Sequence, residues 1–214
     1  MSLHEIARSK APLISDKDWV HDYYTKVYQK VLGGLTNKDF TLLEIGIYYG
    51  YSLGVWREYF KNATIIGVEL NPYNSFPYRP NIGTEWGPLT GVQQWWSNLS
   101  IDTEAFYNNF KDCTIIYGDA TEEKTFKLLK EQSVDVIIDD GSHVIEDIVK
   151  SFNVLYSRLS QGGLYIIEDS PEAVQFFTSQ TGQENPSIEV VDIYDGRETT
   201  KNPYSCAITL RKNN

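Results

Sequence analysis

The chain has 214 residues, of which 41% are hydrophobic and 22% are charged, proportions typical of a soluble globular protein with one well-buried domain. Its formal net charge of −10, with lysines and arginines scattered along the chain, argues against a nucleic-acid partner, which needs a basic face. No apolar run approaches the roughly 20 residues of a membrane span, and the N-terminus lacks a signal-peptide layout. We therefore expect a cytoplasmic protein without a membrane partner.

The N-terminal residues 1–38 are predicted to form a helical segment. Residues 15–18 have the Ser-x-x-acid spacing of a capping box. Aromatic and β-branched residues then recur at helical spacing until two glycines at 33–34. This pattern predicts one helix that begins near residue 16 and ends at the glycines.

Strands and helices then alternate along the rest of the chain. Apolar runs that end on acids or glycines predict five strands, at residues 41–46, 63–69, 113–119, 136–140 and 164–169. Helices are expected to begin near residues 51, 121, 145 and 171, and alternation of this kind implies a parallel sheet with right-handed crossovers. Two last strands, at 188–194 and 204–210, should form an antiparallel hairpin at one edge. The prediction is a single α/β domain over residues 1–214, with a mostly parallel seven-stranded Rossmann-like sheet and helices on both faces.

Residues 71–110 interrupt this alternation with four prolines and three tryptophans (Trp86, Trp95 and Trp96). A structureless loop of this length is uncommon, so the segment is interpreted as an insertion or lid over the active site, with one short helix. The tryptophans can stack on a sugar ring, but core packing or a dimer contact explains them equally well.

Adjacent acids end two of the predicted strands. Asp139 and Asp140 lead into Gly141, Ser142 and His143, and Glu168 and Asp169 end the fifth strand. If the two strands are neighbours, up to four carboxylates and one imidazole meet at one rim, where they repel unless a cation sits among them or some stay protonated. Oxygen ligands favour Mg²⁺ or Mn²⁺, and an imidazole beside them can serve as a base near neutral pH.

Several simpler explanations remain open for these residues. His143 can be a helix N-terminal histidine bonded to backbone, and Glu168 with Asp169 can line the start of the next helix. Asp139 is assigned to capping or cofactor support, although it can exchange roles with Asp140.

Single acids also end the first three predicted strands. Glu44 opens the motif Glu44-x-Gly46-x-x-x-Gly50, in which the glycines allow close approach of a ligand and the acid can bind a cationic amine. Glu69 ends the second strand, where a carboxylate can accept both hydroxyls of a ribose, and Asp119 ends the third, where an acid can accept a purine amine. Each acid alone is compatible with a solvated strand end, but the ordered series favours a nucleoside-binding site.

These motifs resemble those of class I S-adenosylmethionine-dependent methyltransferases over roughly residues 40–210. The segments 139–143 and 167–169 are similar to those of metal-dependent macrolide sugar O-methyltransferases of the mycinamicin type, and of the cephalosporin hydroxylase and rhamnosyl O-methyltransferase group. The resemblance implies the class I fold, S-adenosylmethionine and Mg²⁺ or Mn²⁺ as cofactors, and an O-methyltransferase that acts on a sugar hydroxyl. It also implies His143 as general base and a metal-ligand set of Asp140, Glu168 and Asp169. The implied cofactor-binding residues are Glu44, Gly46, Gly50, Ser52, Glu69, Asp119, Ala120 and Asp139.

Three alternatives to a sugar O-methyltransferase remain at this stage. They are a catechol-type enzyme with a phenolic acceptor, an Fe²⁺ hydroxylase at the same rim, and a nucleoside-binding module without turnover. The expected partner is a small-molecule acceptor, a sugar or polyol, with no nucleic acid. The resemblance and the aromatic insertion are also compatible with a homo-oligomer.

Overall fold

The structure is a computed structural model that describes residues 1–10, 15–48, 50–70, 111–180 and 187–213. The predicted insertion at 71–110, with its three tryptophans, lies outside the described residues. Its role as a lid therefore stays a prediction.

Seven strands form one sheet in the order β3-β2-β1-β4-β5-β7-β6. The strands are β1 (Thr41–Ile45), β2 (Thr64–Glu69), β3 (Cys113–Tyr117), β4 (Val134–Asp139), β5 (Leu159–Glu168), β6 (Ile188–Asp195) and β7 (Cys206–Lys212). The first five pair in parallel, and β7 pairs antiparallel with both β5 and β6. The predicted sheet, with its antiparallel hairpin at one edge, is confirmed. Because β1, β4 and β5 are parallel neighbours, their carboxyl ends lie side by side.

The helices of the described residues are mostly short. They are α1 (Leu3–Ser9), α2 (Asp16–Trp19), α3 (Gln29–Leu32), α4 (Tyr51–Tyr59), α5 (Ile145–Tyr156), α6 (Pro171–Ser179) and α7 (Arg197–Thr200). A π-helical turn precedes α3 at Tyr24–Tyr28, and 3₁₀ turns occupy Gly33–Leu35 and Glu123–Phe126. The helix expected to begin near residue 121 is instead the short 3₁₀ turn at Glu123–Phe126.

The single N-terminal helix predicted from residue 16 to the glycines is wrong. Helix α2 ends at Trp19, and Asp22 takes a left-handed backbone conformation with φ of 58° before the π-helical turn. The Ser15 side chain accepts a hydrogen bond from Lys17 N, but the reciprocal half of a capping box is not made. The reason is that Asp18 binds His4 and Arg8 instead, which ties α2 to α1. The complete capping box of this region is formed by Ser2 and Glu5.

Each face of the sheet carries its own hydrophobic core. The first face packs Leu42, Ile138 and Ile166 against the N-terminal helices and α4, including Tyr24, Tyr28 and Trp56. On the second face, a cluster of Leu43, Ile137 and Ile167 packs against α5 and α6 through Ile148, Phe152 and Phe177. The strand residues alternate between the two clusters because successive side chains of a strand point to opposite faces. Within the parts of the chain that the structure describes, no helix is both long and apolar enough to cross a membrane.

Candidate active site

Three carboxylates from neighbouring strands meet on one face at the carboxyl edge of the sheet. Glu44 of β1 pairs in register with Ile138 of β4, which pairs with Ile166 of β5. Two residues further along, Asp140 and Glu168 therefore fall on the same face as Glu44. Glu44 and Glu168 are almost fully buried, so their charges need a partner inside the protein.

That partner is Lys17, a residue that the sequence did not suggest. Its Nζ lies 2.6 Å from Asp140 Oδ2, 2.7 Å from Glu168 Oε2 and 3.3 Å from Glu44 Oε1. The lysine side chain is 2% exposed, which is rare for lysine unless it is paired. The sequence does contain a signal for the burial of this lysine. Residue 17 lies seven positions before Tyr24 and therefore falls on the apolar stripe of the predicted N-terminal helix.

Burial and the excess of acids over bases determine the pKa values of Lys17 and of its three carboxylate partners. Burial alone lowers the pKa of Lys17, but the adjacent Asp140, Glu168 and Glu44 outweigh burial and hold that pKa well above its ordinary value. For the acids, burial outweighs the attraction of the Lys17 ammonium. Burial raises the pKa of Glu44 and Asp140, and raises the pKa of Glu168 to about 7, despite the nearby ammonium. One lysine cannot fully offset three clustered carboxylates, so the site favours additional positive charge.

A second group, capable of holding a metal ion, adjoins the first. Asp140, His143 and Asp169 each offer a ligand atom, and these atoms lie within 4.8 Å of one another. His143 Nε2 is 4.0 Å from Asp140 Oδ1, the oxygen that Lys17 does not bind. His143 and Asp169 both adopt left-handed backbone conformations, with φ of 60° and 57°. Such conformations in residues other than glycine often mark functional sites.

Asp169 is held in place by the N-terminal segment. The hydroxyl of Tyr23 donates a hydrogen bond to Asp169 Oδ1, and His21 Nδ1 lies 3.4 Å from the same oxygen. His21 stacks on Tyr23 with 5.0 Å between the ring centroids and also contacts Ser205 Oγ at 2.8 Å. Burial lowers the pKa of His21, which favours the neutral imidazole. The segment that carries Lys17 thus supports both halves of the acidic site.

A cavity of about 490 Å³ leads from these acids across the ends of β1, β2 and β3. Its volume is in the range of small-molecule sites. Most of the predicted site residues line it, namely Gly46, Glu69, Asp119, Ala120, Asp139, Asp140, His143 and Asp169. The structure therefore joins the predicted nucleoside end and the predicted metal end in one continuous pocket.

Gly46 brings the ends of β1 and β4 close together. It has φ of 79°, and a Cβ atom added there would lie 2.1 Å from the carbonyl oxygen of Asp140. No side chain fits at this position, so the glycine is needed for close approach of the two strand ends. Gly46 thus lies where the predicted nucleoside end of the cavity meets the acidic end.

The acids at the nucleoside end differ in their environment. Glu69 is buried, and its Oε2 accepts a hydrogen bond of 3.0 Å from Tyr48 N. Asp119 Oδ1 accepts hydrogen bonds from the hydroxyl and the backbone nitrogen of Thr121, which lower the pKa of Asp119. Asp139 accepts a hydrogen bond of 2.8 Å from the Tyr165 hydroxyl, but burial raises the pKa of Asp139 to about 6.

Four of the implied site residues occupy other positions. Glu44, Gly50 and Ser52 do not line this cavity. Instead, Glu44 Oε2 accepts hydrogen bonds from Ser52 Oγ and Trp56 Nε1, at 2.8 and 2.9 Å, on the α4 side of β1. Glu168 is not part of the group formed by Asp140, His143 and Asp169, and its Oε1 is buried with no hydrogen-bond partner among the described residues. The cofactor and metal roles implied for these four residues stay predictions.

The comparisons with known proteins agree with this geometry. Residues 43–170 match the family described as a methyltransferase domain, and the chain belongs to that family. The predicted resemblance to methyltransferases is thereby confirmed.

Several similar curated proteins are named as O-methyltransferases. The chain is 26% identical, over 165 residues, to 8-demethyl-8-alpha-L-rhamnosyl tetracenomycin-C 2'-O-methyltransferase of Streptomyces olivaceus. This match covers 72% of this chain and 35% of that protein. It is 24% identical to demethylmacrocin O-methyltransferase of Streptomyces fradiae. That match covers 69% of this chain and 31% of the relative. The matched region thus spans about a third of the length of each of these two relatives.

A solved structure shows the same fold. The MycE methyltransferase from the mycinamycin biosynthetic pathway, in complex with Mg, SAH and mycinamycin VI, superposes with a TM-score of 0.64 at 17% identity. The match covers 100% of this chain and 55% of that chain.

Proposed function

We propose that this chain is an S-adenosylmethionine-dependent O-methyltransferase that acts on a hydroxyl group of a sugar or of a glycosylated small molecule. The observation that carries the proposal is the continuous cavity from Gly46, Glu69 and Asp119 to the group of Asp140, His143 and Asp169. The named relatives support the acceptor class, because one is named as the 2'-O-methyltransferase of a rhamnosyl tetracenomycin and the other as the O-methyltransferase of demethylmacrocin.

The nucleoside end of the cavity fits a methyl donor such as S-adenosylmethionine. A carboxylate at the end of β2, Glu69, suits the two ribose hydroxyls, and Asp119 after β3 suits an exocyclic amine. Gly46 lines the cavity at the end of β1, where its backbone would face the donor. When bound, the donor would supply the methyl group that the acceptor hydroxyl receives.

The acidic end fits a divalent cation by its chemistry. Asp140 and Asp169 offer carboxylate oxygens, which Mg²⁺ and Mn²⁺ prefer, and the excess of carboxylates over cations favours positive charge. Asp140 and Asp169 would hold Mg²⁺ or Mn²⁺. When bound, such an ion supplies a Lewis acid that makes an acceptor hydroxyl more acidic.

His143 is the residue proposed to receive the proton of the acceptor hydroxyl. Its side chain is 40% exposed and lines the cavity, so an acceptor can reach it. The Asp140 carboxylate, 4.0 Å from Nε2, would stabilise the imidazolium that forms as the methyl group is transferred. A positioned base of this kind accelerates a reaction by about 10²- to 10⁴-fold.

The test is methyl transfer from labelled S-adenosylmethionine to a panel of simple glycosides, with catechol as the phenolic comparison, with and without Mg²⁺. We expect methylated glycoside and a loss of turnover in His143→Ala of about 10²- to 10⁴-fold. The affinity of His143→Ala for S-adenosylhomocysteine should remain close to that of the wild type. His4→Ala is the control, because His4 pairs with Asp18 outside the cavity.

Three outcomes would contradict the proposal. Methylation of catechol in place of every glycoside would show a phenolic acceptor. Full activity in excess chelator would show that the reaction needs no metal ion. Full activity of His143→Ala would show that His143 is not the base.

A further inference from the structure

The acidic site already contains a cation that belongs to the chain. Lys17 Nζ lies between Asp140 Oδ2 and Glu168 Oε2, at 2.6 and 2.7 Å, and Lys17 and Glu168 are both buried. A permanent charge in this position competes with any ion that would bridge the same two oxygens, because like charges a few ångströms apart repel strongly in a protein interior.

Two observations separate Glu168 from the residues that can hold a metal. Asp140, His143 and Asp169 converge on one another, whereas Glu168 is outside that group. Its side chain is 1% exposed, and the charge partner in contact with it is Lys17. Asp140 belongs to both groups, since Oδ2 binds Lys17 and Oδ1 faces His143.

We infer that Lys17 is a positioning residue that takes Glu168 as its own partner, so that the divalent ion of the proposed enzyme is held by Asp140 and Asp169 without Glu168. This inference rests on the proposed function, which supplies the ion, and it revises the ligand set implied by family resemblance. The lysine fixes the Asp140 side chain through Oδ2 and leaves Oδ1 to face the cavity. Lys17 also offsets part of the charge of Glu168 and Glu44, which would otherwise draw the ion away from the acceptor side.

The inference predicts different effects for two adjacent acids. Binding of Mn²⁺ alone to the purified full chain can be measured by electron paramagnetic resonance, independently of activity. Asp169→Asn should weaken Mn²⁺ binding by at least about ten-fold, because the charge of the ligands sets the affinity of such sites. Glu168→Gln, which has nearly the same shape, should leave the affinity within about three-fold of the wild type, since Glu168 is not a ligand.

Variants of Lys17 complete the test. Lys17→Met should bind Mn²⁺ more tightly by about ten-fold, because a repelling charge is removed and Glu168 is released. In the Lys17→Met background, Glu168→Gln should now weaken binding, and this non-additivity is the signature of direct coupling. Lys17→Arg keeps the charge and should retain wild-type affinity, while Lys26→Met on the exposed surface is the matched control.

The outcomes separate this inference from the proposed function. If the wild type fails to bind Mn²⁺ at millimolar concentration, the metal part of the proposed function is wrong and the inference falls with it. If the wild type binds Mn²⁺ but Glu168→Gln weakens binding as much as Asp169→Asn does, only the inference is overturned. The comparison of these two acids decides the matter even if Lys17→Met does not fold.

Discussion

The acids at strand ends could be predicted one by one from the sequence, because each follows a short apolar run. The positions of Glu69, Asp119, Asp140 and Asp169 at the cavity agree with that expectation. Lys17 could not be assigned in the same way. Its role depends on contacts with residues more than 100 positions away, which no local pattern encodes.

Gly46 gives the sharpest prediction at the scale of a single residue. Gly46→Ala places a Cβ atom against the Asp140 carbonyl oxygen in a left-handed backbone conformation. We expect a loss of about 2–5 kcal/mol in the free energy of unfolding, from the backbone strain and the forced contact together. Urea denaturation followed by circular dichroism measures the change.

Gly34→Ala is the control for this substitution, because an added Cβ atom meets nothing within 4 Å at that position. Its unfolding free energy should stay within about 0.5 kcal/mol of the wild type. Equal stability of Gly46→Ala and the wild type would contradict the close approach of the two strand ends.

At the scale of elements, the strands were easier to predict than the N-terminal helices. Buried strands such as β1 and β4 are short apolar runs with clear ends, and their alternation with helices implies parallel pairing. The N-terminal segment has a helical period, yet tertiary contacts of Lys17 and Tyr23 with the acidic site accompany a break in the helix between them. Local periodicity could not reveal that break.

Asp22 is the residue at which the break can be tested. Its φ of 58° suits aspartate, asparagine or glycine, but it is unfavourable for a β-branched side chain. Asp22→Val should therefore lower the unfolding free energy by about 1–2 kcal/mol, while Asp22→Gly stays close to the wild type. Thermal unfolding of both variants compares them directly, and a Val variant as stable as the Gly variant would contradict the left-handed turn.

For the whole molecule, the buried acids make stability depend on pH. Burial raises the pKa of Asp139 from 3.8 to about 6. The folded state then binds a proton more tightly than the unfolded chain, so this contribution to stability is present at low pH and is lost as pH rises from about 4 to about 6. The shift corresponds to roughly 3 kcal/mol of unfolding free energy.

The measurement is urea denaturation at pH values between 4 and 8 for the wild type and Asp139→Asn. The difference in unfolding free energy between the two proteins should change by about 3 kcal/mol across this window, with the wild type favoured at low pH. Glu168, whose pKa is raised to about 7, adds a similar trend to both proteins and cancels in the comparison. A difference that does not vary with pH would show that Asp139 titrates normally.

The central claim is that the cavity binds the methyl donor across Glu69 and a divalent ion at the acids beyond it. Calorimetric titration of S-adenosylhomocysteine into the protein, with and without Mg²⁺, tests that claim most directly, with Glu69→Gln as the paired variant. We expect one binding site in the wild type, with affinity weakened by about ten-fold in Glu69→Gln, because a buried carboxylate loses its charge-assisted hydrogen bonds. The absence of binding to the wild type, or equal affinity of Glu69→Gln, would contradict it.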